Sequence, residues 1–311
     1  MLSRINSFLK KIIYPGQDLR AFIVTRLSAA EIKEKVFIVN KTRDIDISDR
    51  HAMICLEPFS MAIWIGPDEL TFIDPASISV FISKENRIRA RMVLSLVEKI
   101  PQNNVTLLLY RVAQSKCFIA NPIYRFITLA WFLKNKTSTY RERKFIAAFY
   151  TYPRKVILVS YKENGYYNIF PMDIQGHMKE SGLYLLGLRH TNFTLEKVLD
   201  TKKLVIADTE NADINTIYSL GRHLSKSPPS LEELSFGTKE SSLFRFPIPD
   251  FSRSYKEVEI TRNIDMGYHM LLIGKIVYEE KAADHSSSLY HIHFFEFKNS
   301  GYKSIANTGY S

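Results

Sequence analysis

Hydrophobic and polar residues alternate over short stretches along most of the chain, which is the pattern of β-strands with one buried face. In the first half, runs rich in β-branched and aromatic residues predict strands at residues 21–25, 36–40, 52–56, 62–65, 78–82 and 105–112. Apolar residues at helical spacing predict helices over residues 28–35 and 90–100. The first half is therefore expected to be a mixed α+β domain.

The strand signals become longer in the second half, and few helices interrupt them. They predict strands at residues 155–161, 182–188, 203–208, 255–260, 268–280 and 288–298. Helices are expected at residues 193–199 and 214–220, and the Asn164-Gly165 dipeptide predicts a tight hairpin turn. Many strands with few helices favour a closed or half-closed β-barrel, so the protein is expected to be mainly β with α+β elements.

Residues 134–144 (KNKTSTYRERK) are polar and lack an apolar period, as in an exposed connection. We expect the domain boundary here, with one domain at residues 1–145 and a second at residues 146–311. The sequence shows no self-similarity at periods of about 20 to 50 residues, which argues against solenoids and propellers.

Composition places the chain among folded globular proteins. Of its 311 residues, 46% are hydrophobic and 24% are charged, which excludes a natively disordered chain. The net charge of +10 lies entirely in the first half, where residues 1–145 hold 23 basic and 13 acidic side chains. This excess indicates either a solvated basic face or an anionic partner such as nucleic acid, a membrane surface or an acidic protein.

Cysteine usage and hydropathy indicate the compartment. The two cysteines, Cys55 and Cys117, cannot form a disulfide framework, and a reducing cytoplasm is expected. The apolar runs fall short of the roughly 18 residues that span a bilayer, so no membrane span is expected.

Several common chemistries are excluded by missing motifs. The chain has no glycine-rich dinucleotide fingerprint after a strand, no phosphate-binding loop with its lysine, and no nucleophile elbow. His269, His291 and His293 lie on predicted strands, but no carboxylate stands at ligand spacing from them. We therefore expect no metal site.

A cluster of polar residues stands where a predicted strand runs into a predicted helix. Arg189, His190, Thr191 and Thr194 surround the first turn of that helix, whose free backbone amides favour anions. Two interpretations remain open from these residues alone: a phosphate site, or a capped helix with solvated polar side chains.

Three blocks from about residue 152 onward resemble the flavin reductase-like family, whose proteins have the FMN-binding split-barrel fold. The first block is residues 165–172 (GYYNIFPM), similar to the family's Asn-x-x-Pro strand. The second is residues 187–198 followed by Leu204-Val205-Ile206, similar to its Gly-x-x-Arg, threonine, helix and strand. The third is residues 267–276 (GYHMLLIGKI), similar to its Gly-Asp-His segment.

The resemblance implies a flavoprotein with FMN, or alternatively FAD, reduced by NADH or NADPH in the manner of an NAD(P)H-dependent flavin reductase. It implies a homodimer with the cofactor at the subunit interface. The phosphate end would lie against Arg189, His190, Thr191, Thr194 and Lys197. The ring would lie along residues 168–173, where the implied contacts are Asn168, Pro171, Met172 and Asp173. His269 would contact the nicotinamide or orient the substrate, and the other interpretation is a strand histidine bonded across the barrel.

The chain departs from the family pattern at several of these positions. Asp173 replaces a serine or threonine, Lys197 replaces an asparagine in the helix, and Tyr268 replaces the aspartate before the histidine. An aspartate at position 173 would repel a phosphate but could accept a hydrogen bond from a flavin ring nitrogen.

A second hypothesis from a different class is a non-catalytic binding module. In that case the basic first domain docks on an acidic protein or nucleic acid, and the barrel is a degenerate scaffold. Nucleic acid is not the partner we expect, because the basic residues are scattered rather than blocked into runs. A third interpretation is that the first domain covers the barrel or extends its dimer interface.

Overall fold

The fold was determined as a computed structural model, which describes residues 22–40, 43–119, 140–281, 287–293, 296–297 and 301–302. In chain order, the strands are β1 (Phe22–Ser28), β2 (Glu34–Ile38), β3 (Ile45–Asp46), β4 (His51–Leu56), β5 (Phe59–Ile65), β6 (Ser77–Lys84), β7 (Arg87–Pro101), β8 (Thr106–Cys117), β9 (Arg154–Lys155), β10 (Ile157–Glu163), β11 (Tyr166–Met172), β12 (Gln175–Met178), β13 (Leu183–Arg189), β14 (Lys203–Ala207), β15 (Thr238–Glu240), β16 (Pro247–Pro249), β17 (Tyr255–Asp265), β18 (His269–Glu280) and β19 (Ser287–His293). The helices are α1 (Pro67–Leu70), α2 (Tyr140–Phe149), α3 (Phe193–Thr201) and α4 (Ile214–Leu220).

Two large antiparallel sheets dominate the described structure. The first has seven strands in the order β3-β2-β6-β7-β8-β5-β4, and the second has seven in the order β11-β10-β14-β17-β18-β13-β12. A small sheet of β1, β19 and β9 joins the beginning of the described chain to its end, and β15 pairs with β16. The mainly β class predicted from the sequence is confirmed.

Three hydrophobic clusters fill the part of the molecule that the structure describes. One lies within the first sheet together with Phe145 and Phe149 of α2, and one lies within the second sheet beneath α3 and α4. The third is built from both sheets and includes Trp64 on β5 and Leu271 on β18. Strand β5 is buried at every position because alternate side chains face the first and the third cluster.

The periodicity of the sequence predicted most elements within a few residues. Helix α4 covers residues 214–220 as predicted, and Asn164 and Gly165 both have positive φ in the β10–β11 turn, as a primed hairpin turn requires. The predicted helix at residues 90–100 is wrong, because this stretch is part of strand β7. Its buried residues Ala90, Met92 and Leu94 follow a period of two, and the helical spacing of Val93, Leu96 and Val97 was coincidental.

Over residues 22–40 and 43–119, the first half is therefore built mainly from strands. The predicted connection at residues 134–144 lies partly outside the described residues, and its last residues, from Tyr140, belong to α2. Among the helices that the structure describes, none combines the length and hydrophobicity needed to cross a membrane.

Candidate functional site

The three sequence blocks converge at one corner of the second sheet. Strands β13 and β18 are neighbours, and their register places Arg189 opposite His269. The Asn168 side chain on β11 donates from Nδ2 to Oγ1 of Thr194 on α3, at 2.8 Å. Residues that are far apart in the chain thus come together at this corner.

Helix α3 begins with a side-chain cap. Asn192 Oδ1 accepts a hydrogen bond from the Thr194 amide at 3.0 Å, and the Phe193 amide donates to Ser225 Oγ at 3.0 Å. Leu195 and Val198 are buried beneath the helix. Two of the first amides of α3 are therefore already bonded by side chains, one of them from a loop further along the chain.

A chain of side-chain hydrogen bonds supports the start of α3 from the protein interior. We call it the helix-start relay; its residues are Tyr166, Asn168, Thr194, His223 and Ser225. His223 Nε2 donates to Asn168 Oδ1 at 2.6 Å, since the Asn168 amide group is used toward Thr194. The Thr194 hydroxyl then donates to the Tyr166 hydroxyl at 2.8 Å, which itself donates to the Ser225 carbonyl at 2.8 Å. Each hydroxyl and amide in the relay has a single consistent direction.

Burial divides the predicted phosphate residues into two groups. Thr194 and Asn168 have 0% and 1% exposure, so their side chains support the helix start from within. Arg189, His190 and Thr191 are exposed, and Lys197 is partly exposed with Nζ 5.3 Å from the centre of the Phe193 ring. The Arg189 guanidinium lies over the Tyr268 ring at 5.5 Å, and His190 Nε2 lies 3.2 Å from Asp265 Oδ1. The exposed group can meet a ligand without rearrangement of the core.

The end of β11 lies beneath helix α4. Pro171 and Met172 are half-buried, and Gly221 at the end of α4 packs beside Pro171. The end of β11 is therefore partly exposed, and it lies next to the helix-start relay.

Asp173, the residue after β11, is held in a second network, the Asp173 network of Tyr150, Asp173, Tyr218 and His291. Asp173 Oδ2 accepts hydrogen bonds from the Tyr150 hydroxyl and from His291 Nδ1, the latter at 2.6 Å. The Tyr218 hydroxyl lies within hydrogen-bond distance of His291 Nε2, at 2.7 Å. The four residues come from four different parts of the chain.

Charge and burial act in opposite directions on this carboxyl. Burial by itself would raise the pKa of Asp173, but the neighbouring His291 and the hydrogen bonds from His291 and Tyr150 bring the pKa below its usual value. Burial, followed by the charge of Asp173, raises the pKa of Tyr150 well above its usual value. Asp173 is therefore an ionised acceptor, and Tyr150 is a neutral donor.

His269 lies where the two large sheets meet. Its Nδ1 accepts from the Leu56 amide of the first sheet at 3.4 Å and lies 3.6 Å from the Cys55 sulfur. The ring is fully buried, and its Nε2 has no hydrogen-bond partner among the described residues. Burial, together with the charge of Arg189, lowers the pKa of His269 to about 4. His269 is therefore neutral at pH 7, with its proton on Nε2.

Several residues of this corner were not predicted from the sequence. Tyr150 and Tyr218 contact Asp173 and His291, while His223 and Ser225 support the start of α3. Nothing in their local sequence distinguishes them, because each lies in a different element and is brought in by tertiary folding. His291 had been considered for a metal, yet here it is bonded to an aspartate and a tyrosine.

Comparison with known sequences and structures gives contrasting results. No protein-family model matches the chain, and no curated protein matches it. Solved structures do resemble it, each over about half of this chain. Flavoredoxin from Methanosarcina acetivorans is 12% identical, with 42% of this chain and 70% of that protein covered and a TM-score of 0.38. For the FMN-binding protein from Thermus thermophilus with bound p-hydroxybenzaldehyde, the identity is 15%, the coverage 51% and 90%, and the TM-score 0.41.

A third resemblance is to the NADH:FAD oxidoreductase from Streptomyces globisporus. This protein is 11% identical, with 54% of this chain and 96% of that protein covered and a TM-score of 0.45. The solved structures that resemble this chain thus include flavin reductases and FMN-binding proteins, the group to which its three sequence blocks were similar.

Proposed function

We propose that the protein is a flavin-binding oxidoreductase that takes FMN, or alternatively FAD, and is reduced by NADH or NADPH. The observation that carries the proposal is the convergence of the three sequence blocks at one corner. There, Asn168 is bonded to Thr194, and Arg189 stands opposite His269. The exposed residues at the start of α3 belong to the second block, and folding adds Asn168 of the first block beneath them and His269 of the third block beside Arg189.

The phosphate end is assigned to the exposed residues at the start of α3. Arg189 and Lys197 supply positive charge, Thr191 supplies a hydroxyl, and His190 supplies a further donor. Charge-assisted hydrogen bonds of this kind are the strong ones in phosphate recognition. Asn168 and Thr194 are assigned a positioning role, since both are buried and bonded to each other.

The flavin ring is assigned to the partly exposed end of β11, which is formed by Pro171, Met172 and the neighbouring Asp173. The chemistry of this strand end fits an isoalloxazine, which has an apolar face and hydrogen-bonding ring nitrogens. Asp173 is an ionised acceptor held in place by Tyr150 and His291. When bound, FMN would supply the two-electron chemistry by taking hydride from the reduced nicotinamide, which leaves oxidised nicotinamide.

His269 is assigned to orient the nicotinamide or the ring edge. Its buried Nε2 proton has no acceptor among the described residues, and a ligand carbonyl would satisfy it once the residues that cover the ring move aside. Because the pKa of His269 is about 4, this side chain donates a hydrogen bond at neutral pH without carrying a charge. Its role is therefore positioning rather than proton transfer.

The direct test is titration of the purified protein with FMN, followed by fluorescence quenching and calorimetry. We expect saturable binding and oxidation of NADH or NADPH in the presence of FMN. Replacement of Arg189 by alanine should weaken FMN binding by about tenfold or more, the scale of one charge-assisted contact of 1.5 to 3 kcal/mol.

The matched control is Lys203→Ala, which removes an exposed cation beyond the other end of α3. Its FMN affinity should equal that of the wild type. The proposal fails if neither quenching nor heat is observed with FMN or FAD. Binding without oxidation of either nucleotide would make the protein a flavin-binding protein rather than a reductase.

A cytoplasmic location remains a prediction from cysteine usage.

A further inference from the structure

The two large sheets have the same strand order. The strands of the two sheets can be matched in chain order. The matching pairs are β2 and β10, β3 and β11, β4 and β12, β5 and β13, β6 and β14, β7 and β17, and β8 and β18. With this correspondence the first order, β3-β2-β6-β7-β8-β5-β4, becomes the second order, β11-β10-β14-β17-β18-β13-β12, at every position. All neighbouring pairs in both sheets are antiparallel. Seven strands in an identical non-sequential order are not expected from two unrelated halves.

The contact between the halves uses corresponding strands. The third hydrophobic cluster takes Ala52, Ile54, Cys55, Ala62, Trp64, Ile100, Val105, Leu107 and Leu109 from the first half, and Met178, Leu185, Met266, Leu271 and Ile273 from the second. Apart from Ile100 on β7, these residues lie on or beside β4, β5 and β8 in one half and on or beside their counterparts β12, β13 and β18 in the other. An interface built from the same patch on both partners is the property of a two-fold pair.

The two halves also pack closely, because glycines of the second half have no side chain and the backbone of the first half lies directly against them. A Cβ on Gly187 would lie 2.5 Å from the Ile54 carbonyl oxygen, and one on Gly267 would lie 2.9 Å from the Glu57 carbonyl oxygen. The Tyr268 amide donates to that same Glu57 carbonyl at 2.8 Å. The surface formed by β12, β13 and β18 is therefore fitted to the first half of its own chain.

The polar corner of the second half has no equivalent among the described residues of the first. The Arg189–His269 pair between β13 and β18 corresponds in register to Ile65–Thr106 between β5 and β8. The helix that follows β5 is α1, with four residues, and its first turn holds Pro67, which lacks an amide proton, together with Asp68 and Glu69. Two carboxylates at that position oppose an anion.

We propose that the chain consists of two covalently linked versions of the same seven-stranded fold. The first half covers the surface of the second half that another chain would cover in a homodimer. The protein is then a monomer with a single ligand site, located in the second half and completed by the Cys55–Glu57 segment of the first half beside His269. The identity of the ligand rests on the proposed function, whereas the pairing does not. This proposal replaces the homodimer expected from the family resemblance.

The pairing is tested on the full chain without ligand by light scattering during size-exclusion chromatography. We expect a mass of one chain, 36.0 kDa, across the micromolar range. A mass of two chains at all concentrations would overturn the proposal, because the second chain would then need a surface that the first half already fills.

The number of sites is tested by calorimetric titration with FMN. We expect one FMN per chain, and Arg189→Ala should weaken the binding of that one equivalent by about tenfold rather than leave half of the binding at wild-type affinity. Two FMN per chain, or one per two chains, would contradict the single site. A monomer that binds no FMN would overturn the proposed function while supporting the pairing.

Discussion

Single residues of the candidate site divide into those that meet solvent and those that hold the site in place. Thr191 and Thr194 are three positions apart, yet the first is exposed and the second has 0% exposure. The Thr194 hydroxyl accepts from Asn168 and donates to Tyr166, so it joins β11 to α3. The same residue type has two different physical roles at this helix start.

Replacement of Thr194 by valine is expected to lower the free energy of unfolding by about 1 to 3 kcal/mol, because Asn168 and Tyr166 each lose a buried hydrogen-bond partner. Urea unfolding measures this loss. Thr191→Val is the matched control and should change the stability by less than about 0.5 kcal/mol. Equal stabilities of the two variants would show that the relay does not stabilise the start of α3.

Individual elements are shaped by what they pack against as much as by their own sequence. Strand β7 alternates buried and exposed residues and is a strand although its apolar residues also fit a helical spacing. Strand β13 carries Gly187, which lies against both Ile174 and the carbonyl of Ile54. A larger side chain at this position would separate the two halves.

The Gly187→Ala variant is expected to lose about 1 to 3 kcal/mol of stability, since the added methyl group overlaps a backbone carbonyl oxygen that cannot move alone. Thermal or urea unfolding measures the change. Gly66→Ala is the matched control, because its φ is −67° and the nearest atom, an oxygen of Glu69, is 3.8 Å from the added Cβ. The close packing of β13 on β4 is contradicted if both variants unfold alike.

The whole molecule buries several histidines in the neutral form. Burial is the leading cause that lowers the pKa of His177, His269 and His293 to about 4 each. His51 is fully buried between the Ile47 carbonyl and the Arg154 guanidinium, and both burial and that cation lower its pKa well below the usual value. These rings therefore stay neutral in the folded protein at pH values where the unfolded chain takes up protons.

Stability is therefore expected to fall as the pH is lowered from 7 to 5. A histidine whose pKa is lowered by folding contributes fully above about 6.5, and this contribution is lost as the pH falls toward its folded pKa. Glu296 acts in the opposite direction, because burial raises its pKa to about 7, but it is one group against several histidines. We expect a net loss on the order of 3 kcal/mol, measured by urea unfolding at both pH values. Equal or greater stability at pH 5 would contradict the burial of these neutral rings.

Local patterns in the sequence determined much of this protein. Alternation placed most strands, the Asn164-Gly165 turn and helix α4 were predicted nearly to the residue, and three blocks indicated the residues of the candidate site. These features depend on contacts within a few positions of the chain, where residue type and spacing act directly on the backbone.

The tertiary structure alone decided what distant segments do together. The hydrogen bond from His291 to Asp173 joins residues 118 positions apart, and the Leu56 amide bonds to His269 across 213 positions. The correspondence of the two sheets is likewise absent from the sequence at the periods considered. Strand order and packing need residues of the right shape and polarity rather than the same residues, so two halves can share one fold without visible similarity in sequence.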